Sequence, residues 1–187
     1  LNTLVQVSYL HIWETLEDPY SNLNNDSGDY LDALQETWAY SSVFSQVERD
    51  VVHLFTKRNV GGGIAYINTI CNNYWGYAVC GGLGNNTNSE YLLLPYNTSN
   101  SWNFKVVCHE LGHNIGANHT HDCLWSPDLS IGFEGGAIDN CNMYSSLYDP
   151  ETSCYGETDE LFFNSSYEYG TLMSYCHTTN LAPLYFE

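Results

Sequence analysis

The chain has 187 residues, enough for one domain with a substantial core. Acidic residues outnumber Lys and Arg by 22 to 4, a formal charge of −18, which excludes nucleic acid as a partner and leaves a solvated acidic surface, suited to a saline habitat or basic substrates. No apolar run approaches the roughly 18 residues of a membrane span.

In chain order, the apolar, β-rich residues 5–13 predict a strand, and residues 18–29 a polar loop. Leu31, Leu34 and Trp38 fall at helical spacing and predict a helix over 30–40, after Asp and Ser capping candidates. Residues 51–55 and 64–67 are short apolar runs bounded by turn residues, as in a buried sheet. Residues 76–80 read as an edge strand, 81–86 as a loop, and 91–95 as a short apolar stretch. A helix follows and ends at Gly116. Beyond it the chain is rich in Gly, Ser, Asn, Asp and Cys and reads as mostly irregular. No repeat, interdomain linker or low-complexity tail is present. The pattern predicts an upper half over residues 1–116, a lower half over 117–187, and a cleft between them.

The helix carries the chemistry. His109-Glu110-Leu111-Gly112-His113-Asn114-Ile115-Gly116-Ala117-Asn118-His119 is H-E-x-x-H-x-x-G-x-x-H. Residues four apart lie about one turn apart on one helix face, so His109 and His113 point the same way. A third ligand on that helix does not converge with them. Gly116 tolerates positive φ, and a sharp turn there brings His119 back under the ion. Three histidines leave the fourth tetrahedral position open to water, the pattern of a catalytic zinc. Zinc lowers the pKa of that water to around 7. Glu110 does not share the face of His109 and is the candidate general base. His121 is the nearest competitor for the third ligand, and the Gly116 spacing favours His119. His11, His53 and His177 are not assigned to the metal.

This motif, followed by Gly170-Thr171-Leu172-Met173-Ser174-Tyr175-Cys176-His177, resembles the metzincin zinc metallopeptidases, and within them the secreted reprolysin-like (adamalysin-related) family. Further matches are Leu10-His11-Ile12-Trp13 ahead of Asp18-Pro19-Tyr20, the run from Arg49 to Thr56, Gly62-Gly63-Ile64-Ala65-Tyr66 followed by Cys71, and Ser101-Trp102-Asn103 at the start of the helix. The Met-Ser-Tyr turn departs from the Cys-Ile-Met of snake-venom reprolysins and is more like serralysins.

The resemblance implies an α/β (α+β) fold: a mixed, mostly parallel sheet, a zinc-binding helix and a loop-rich, disulfide-stapled C-terminal subdomain, truncated at both ends. A chain so trimmed is expected to unfold with little cooperativity. Met173 is implied as the floor beneath the histidines, and Tyr175 as a ligand of the resting metal or a donor to the oxyanion. The implied activity is a zinc-dependent endopeptidase that hydrolyses proteins and peptides through a zinc-bound water, with His109, His113 and His119 as ligands and Glu110 as base. A peptide is expected to add a strand along the 76–80 edge. The rivals are a non-catalytic binding or adhesion module, against which an intact Glu110 argues, and a zinc hydrolase of a non-peptide amide or ester. One catalytic zinc is expected, and no motif supports calcium.

Seven cysteines and the absence of any C-x-x-C pair point to disulfides in an oxidising, secretory setting. The family pattern suggests Cys123 with Cys176 and Cys141 with Cys154; Cys71 is expected to pair with Cys80 or with a cysteine beyond the truncated end, and Cys108 to be a buried free thiol. Sequons at Asn25, Asn85, Asn97 and Asn164 fit secretion from a eukaryote. Asn118-His119-Thr120 also matches, but a glycan there blocks the zinc.

Overall fold

The computed structural model describes residues 4–15, 18–84, 102–122, 124 and 171–175. They form a helix α1 (Ser27–Tyr40), a short 3-10 turn (Phe44–Gln46), three strands β1 (Val52–Phe55), β2 (Gly63–Ala65) and β3 (Tyr77–Cys80), and a helix α2 (Trp102–Ile115). The chain divides into two compact units. The first takes the described residues up to Gly84 together with His113–Gly116; the second takes the rest.

In the first unit, α1 begins three residues before the expected start because Asp26 caps it. The Asp26 carboxylate accepts from Gly28 N at 2.9 Å and Asp29 N at 3.3 Å, satisfying amides that the helix itself leaves unpaired. Tyr30, Leu31, Leu34 and Trp38 form its buried face. Tyr30 stacks on Tyr20, and Trp38 stacks on Phe44. Two of the four basic residues tie this core together. Arg58 donates to Tyr20 O and Tyr30 Oη. Arg49 donates to Val47 O at 2.9 Å and Tyr77 Oη at 3.0 Å, and lies over the Trp38 ring.

The sheet order is β1-β3-β2. β1 pairs with β3 in parallel, from Val52↔Tyr77 to Phe55↔Cys80, and β2 pairs with β3 antiparallel. The expectation of a mostly parallel sheet is therefore corrected: the sheet is mixed, with one pairing of each kind. The connection over residues 66–76 contains no helix and turns the chain back on itself. A parallel return needs a longer crossover. The expected edge strand over 76–80 is also corrected. Tyr77, Ala78, Val79 and Cys80 are all buried, and β3 is the central strand. Four consecutive apolar residues suit a strand covered on both faces.

Residues 5–13 do not form the expected strand. Tyr9 packs edge-on against Trp38, and His11 and Trp13 against Phe44, while Leu4, Val5, Val7, Leu10 and Ile12 are exposed. From Tyr9 to Trp13 packed and exposed side chains alternate as in a strand, but no described backbone pairs with this segment, and a strand exists only through its partner.

The disulfide-stapled description is corrected as well, because no disulfide occurs among the described residues. Cys71 and Cys108 are free thiols, and Cys71 is not bonded to Cys80. Cys71 N donates to Asp50 O at 3.1 Å, just before β1 begins, whereas Cys80 pairs with Phe55 at its end. Five strand steps of about 3.3 Å separate Asp50 from Phe55, beyond the roughly 7 Å Cα limit of a disulfide. Cys108 is half-buried, and burial raises its thiol pKa. Cys123, Cys141, Cys154 and Cys176 lie outside the described residues.

Asn114 joins the last turn of α2 to the sheet and is fully buried. Its amide donates to Tyr66 O at 2.9 Å, Thr69 Oγ1 at 3.2 Å and Tyr77 O at 3.2 Å. Its Oδ1 accepts from His53 Nε2 at 3.0 Å. His53 Nδ1 faces Cys80 Sγ at 3.8 Å, and burial lowers the His53 pKa, which keeps the ring neutral. The backbone closes the same joint: Asn68 N donates to His113 O, and Thr69 N and Ile70 N to Asn114 O. Asn114→Ala leaves these buried groups unsatisfied and is expected to lower unfolding free energy by about 2–4 kcal/mol, measured by urea denaturation.

Candidate metal centre

α2 ends where the sequence requires it to. Gly116 has φ +113°, a conformation that costs any other residue. Its N–H bonds to His113 O at 2.9 Å, and Ala117 N bonds to Gly112 O at 2.9 Å. These are the paired bonds of a Schellman cap. The reversal carries His119 back to the helix. Ligand atoms of His109, His113 and His119 all lie within 4.8 Å of one another, with His109 and His113 buried and His119 partly so. His109 Nδ1 faces Leu172 O at 2.9 Å. A carbonyl only accepts, so this nitrogen carries the proton and Nε2 is presented to a metal.

The second unit also holds the described part of the methionine turn, residues 171–175. Thr171 organises it: its Oγ1 accepts from Met173 N at 3.2 Å, and its carbonyl accepts from Ser174 N at 3.1 Å and Ser174 Oγ at 2.8 Å. Thr120 N donates to Met173 O at 3.2 Å, and the Thr120 and Thr171 hydroxyls meet at 3.0 Å. Met173 is buried and lies on α2 at Gly112, where an added Cβ would sit 2.6 Å from its Sδ. A residue without a side chain is needed between the two zinc-motif histidines for that approach. Lys105, one helical turn before His109, is also buried and donates to Ser174 O at 3.2 Å. The sequence reading missed Lys105, Asn114 and the role of Gly112. A lysine four residues before the first histidine, on its face of the helix, was the available signal for the first.

Glu110 is 3% exposed, and its Oε2 has no hydrogen-bond partner among the described residues. Burial pushes its carboxyl pKa up to about 8. Tyr175 packs 4.6 Å from His119 and 6.3 Å from His109, ring centre to ring centre. Its pKa is raised by burial first, then by Glu110 and Asp122. His121 stacks on His119 at 4.9 Å. His53 and His11 are held elsewhere, in the sheet and on Phe44. His177 lies outside the described residues.

These residues fit a zinc ion. Three imidazoles are the donor set of a catalytic zinc, and a buried carboxylate with an unpaired oxygen needs a cation nearby. Comparison with known families agrees: residues 1–120, more than half the chain, match the Reprolysin-like family M12B of metallo-peptidases. The chain belongs to the reprolysin-like M12B metallopeptidases. The match ends just past His119 and includes the whole three-histidine motif. As a member of this family, the chain is a zinc-dependent metalloendopeptidase that uses one catalytic zinc and acts on proteins or peptides. No helix among the described residues is long and apolar enough to cross a membrane.

Replacing His109, His113 or His119 with Ala is expected to abolish zinc retention through dialysis, because two histidines supply too few ligands. His121→Ala is expected to retain the catalytic ion. Elemental analysis of the four purified variants checks both outcomes; zinc lost from His121→Ala but kept by His119→Ala would reverse the ligand assignment.

Proposed function

We propose that His109, His113 and His119 hold the zinc, that Glu110 is the general base, and that Tyr175 donates to the oxyanion. The observation that carries this reading is the convergence of the three histidines beside a buried carboxylate with an unpaired oxygen. Zinc supplies the Lewis acidity that polarises the scissile carbonyl and acidifies a water. Glu110 Oε2 accepts that water's proton and passes it to the departing amine nitrogen. Burial and the neighbouring acidic groups favour the protonated phenol of Tyr175, so its hydroxyl remains a donor as negative charge develops on the carbonyl oxygen. Met173, seated on Gly112, holds the turn against the helix.

The substrate strand moves from its expected place. β3 is paired on both edges, so a peptide does not add along 76–80. Among the described residues no strand pairs with the outer edge of β2, and β2 runs directly into the loop whose Asn68 N bonds to His113 O. A peptide lying along Gly63–Ala65 is thereby led toward the histidine helix. We read residues 1–116 and 117–187 as the two parts of one catalytic domain, and the protein as secreted. Family membership and the exposed sequon Asn25 before α1 support secretion.

The direct test is a panel of unstructured proteins incubated with the chain, with and without a chelator. Chelator-sensitive cleavage is expected, and an inert, zinc-loaded chain would favour a binding module. Glu110→Gln is expected to keep zinc and lose about a hundredfold to ten-thousandfold in turnover, because an amide does not accept the proton.

The same variant reports on burial. The Glu110 carboxyl pKa is raised from 4.5 to about 8 in the metal-free fold. Its stabilising contribution is therefore complete below the unfolded value and lost as pH rises through the folded one. In chelator, the melting temperature of Glu110→Gln is expected to gain on the wild type between about pH 5 and pH 8, and saturating zinc to narrow the gap. Parallel thermal melts across that range measure it.

Tyr175→Phe removes only the hydroxyl. kcat is expected to fall by about tenfold to a thousandfold with little change in KM and with zinc content intact. Steady-state kinetics on a quenched peptide reads this, and an unchanged kcat would leave Tyr175 as a wall residue.

A further inference from the structure

Next to the catalytic set, the turn after α2 gathers a second group of metal-ligating atoms. Ligand atoms of His119, His121 and Asp122 all lie within 4.8 Å of one another. His121 Nε2 is 3.7 Å from Asp122 Oδ1, and His119 Nδ1 is 3.9 Å from Asp122 Oδ2. Two ligands of a tetrahedral ion held at 2.0–2.1 Å are roughly 3.4 Å apart, so the two contacts to Asp122 have only a few tenths of an ångström to close, and the two imidazole ligand atoms start within 4.8 Å of each other. The backbone pre-sets this arrangement. Asp122 N bonds to His119 O at 3.1 Å, and His119 N bonds back to Asp122 Oδ2 at 3.0 Å. The two imidazoles are nearly parallel, 11° apart, so their orientations are coupled. The Asp122 side chain is 34% exposed and open to ions from solvent, whereas that of His121 is almost wholly buried.

Two imidazoles and one carboxylate make a borderline donor set suited to zinc and similar divalent ions. A net charge of −18 raises the local concentration of any cation. The set shares His119 with the catalytic centre. Its Nδ1 is the atom facing Asp122, so Nε2 is the nitrogen left for the first ion. One imidazole serves two ions through both nitrogens only by releasing its N–H proton to solvent. A second ion therefore competes for the electron density that His119 gives to the first.

We propose that His119, His121 and Asp122 form a second, weaker divalent-cation site, which fills at excess zinc and inhibits the peptidase. The inhibitory half rests on the function proposed above; the binding half does not. The test starts from the full chain carrying one equivalent of zinc. Zinc chloride is added, bound zinc is measured by equilibrium dialysis with elemental analysis, and peptide cleavage is followed in parallel. The wild type is expected to take up a second ion while cleavage falls at least tenfold. His121→Ala is expected to bind that ion at least tenfold more weakly and to resist the fall. His121→Gln, which keeps a polar side chain, gives the same reading should the alanine variant fold poorly. Wild type that stops at one ion up to millimolar free zinc would overturn the proposal. Uptake of a second ion by the His121 variants as tightly as by wild type would also overturn it, since that is adsorption to the acidic surface. A second ion that depends on His121, in a chain that cleaves nothing, upholds the binding site and overturns the inhibitory role.

Discussion

The site depends on the abrupt end of one helix. His109 and His113 are aligned by helical geometry alone, but a third ligand reaches the same ion only if the chain reverses within six residues. Gly116, at φ +113°, makes the reversal, and the two cap bonds fix it. The helix end is itself anchored. The His113 and Asn114 carbonyls accept three amides from the loop after β2, and the Asn114 side chain bonds to His53 of β1 and to Tyr77 of β3. The backbone of His113 is thus held by a hydrogen bond from the loop after β2. Precision of this kind is what a three-histidine centre needs, because loss of one ligand direction leaves a weak site.

The methionine turn supplies a second anchor on the other part of the helix. Leu172 O orients the His109 ring, and Met173 occupies the space that Gly112 leaves empty. Thr120, next to the third histidine, bonds to the turn through both its amide and its hydroxyl. The 171–175 segment therefore touches the neighbours of two of the three ligands, although it lies about fifty residues away in sequence.

Charge is distributed as unevenly as the fold is anchored. Of the four basic residues, Arg49 and Arg58 hold core carbonyls and tyrosines, and Lys105 is buried against the methionine turn. These four positive charges leave the formal net charge at −18. The resulting negative field draws cations and repels polyanions.

The three-histidine motif, the helix over Leu31, Leu34 and Trp38, and the short apolar runs of β1 and β2 were legible because each is governed by local periodicity or local turn chemistry, although only Val52 of those two strands is buried. The centrality of β3, the antiparallel turn of β2 and the lack of a strand partner for residues 5–13 among the described residues were not. Strand order and direction depend on which backbone comes alongside, and alternating side chains carry no record of it. Cys71 and Cys80 show the same limit: nine positions apart in sequence, they lie at opposite ends of the sheet. The buried roles of Lys105 and Asn114 were equally hidden, since a polar residue on a helix normally reads as solvent-facing. The sequence by itself determined the chemistry, because ligand identity and helical spacing are properties of a few consecutive residues. Only the tertiary structure decided what holds that chemistry in place, because hydrogen-bond partners distant along the chain are chosen by packing.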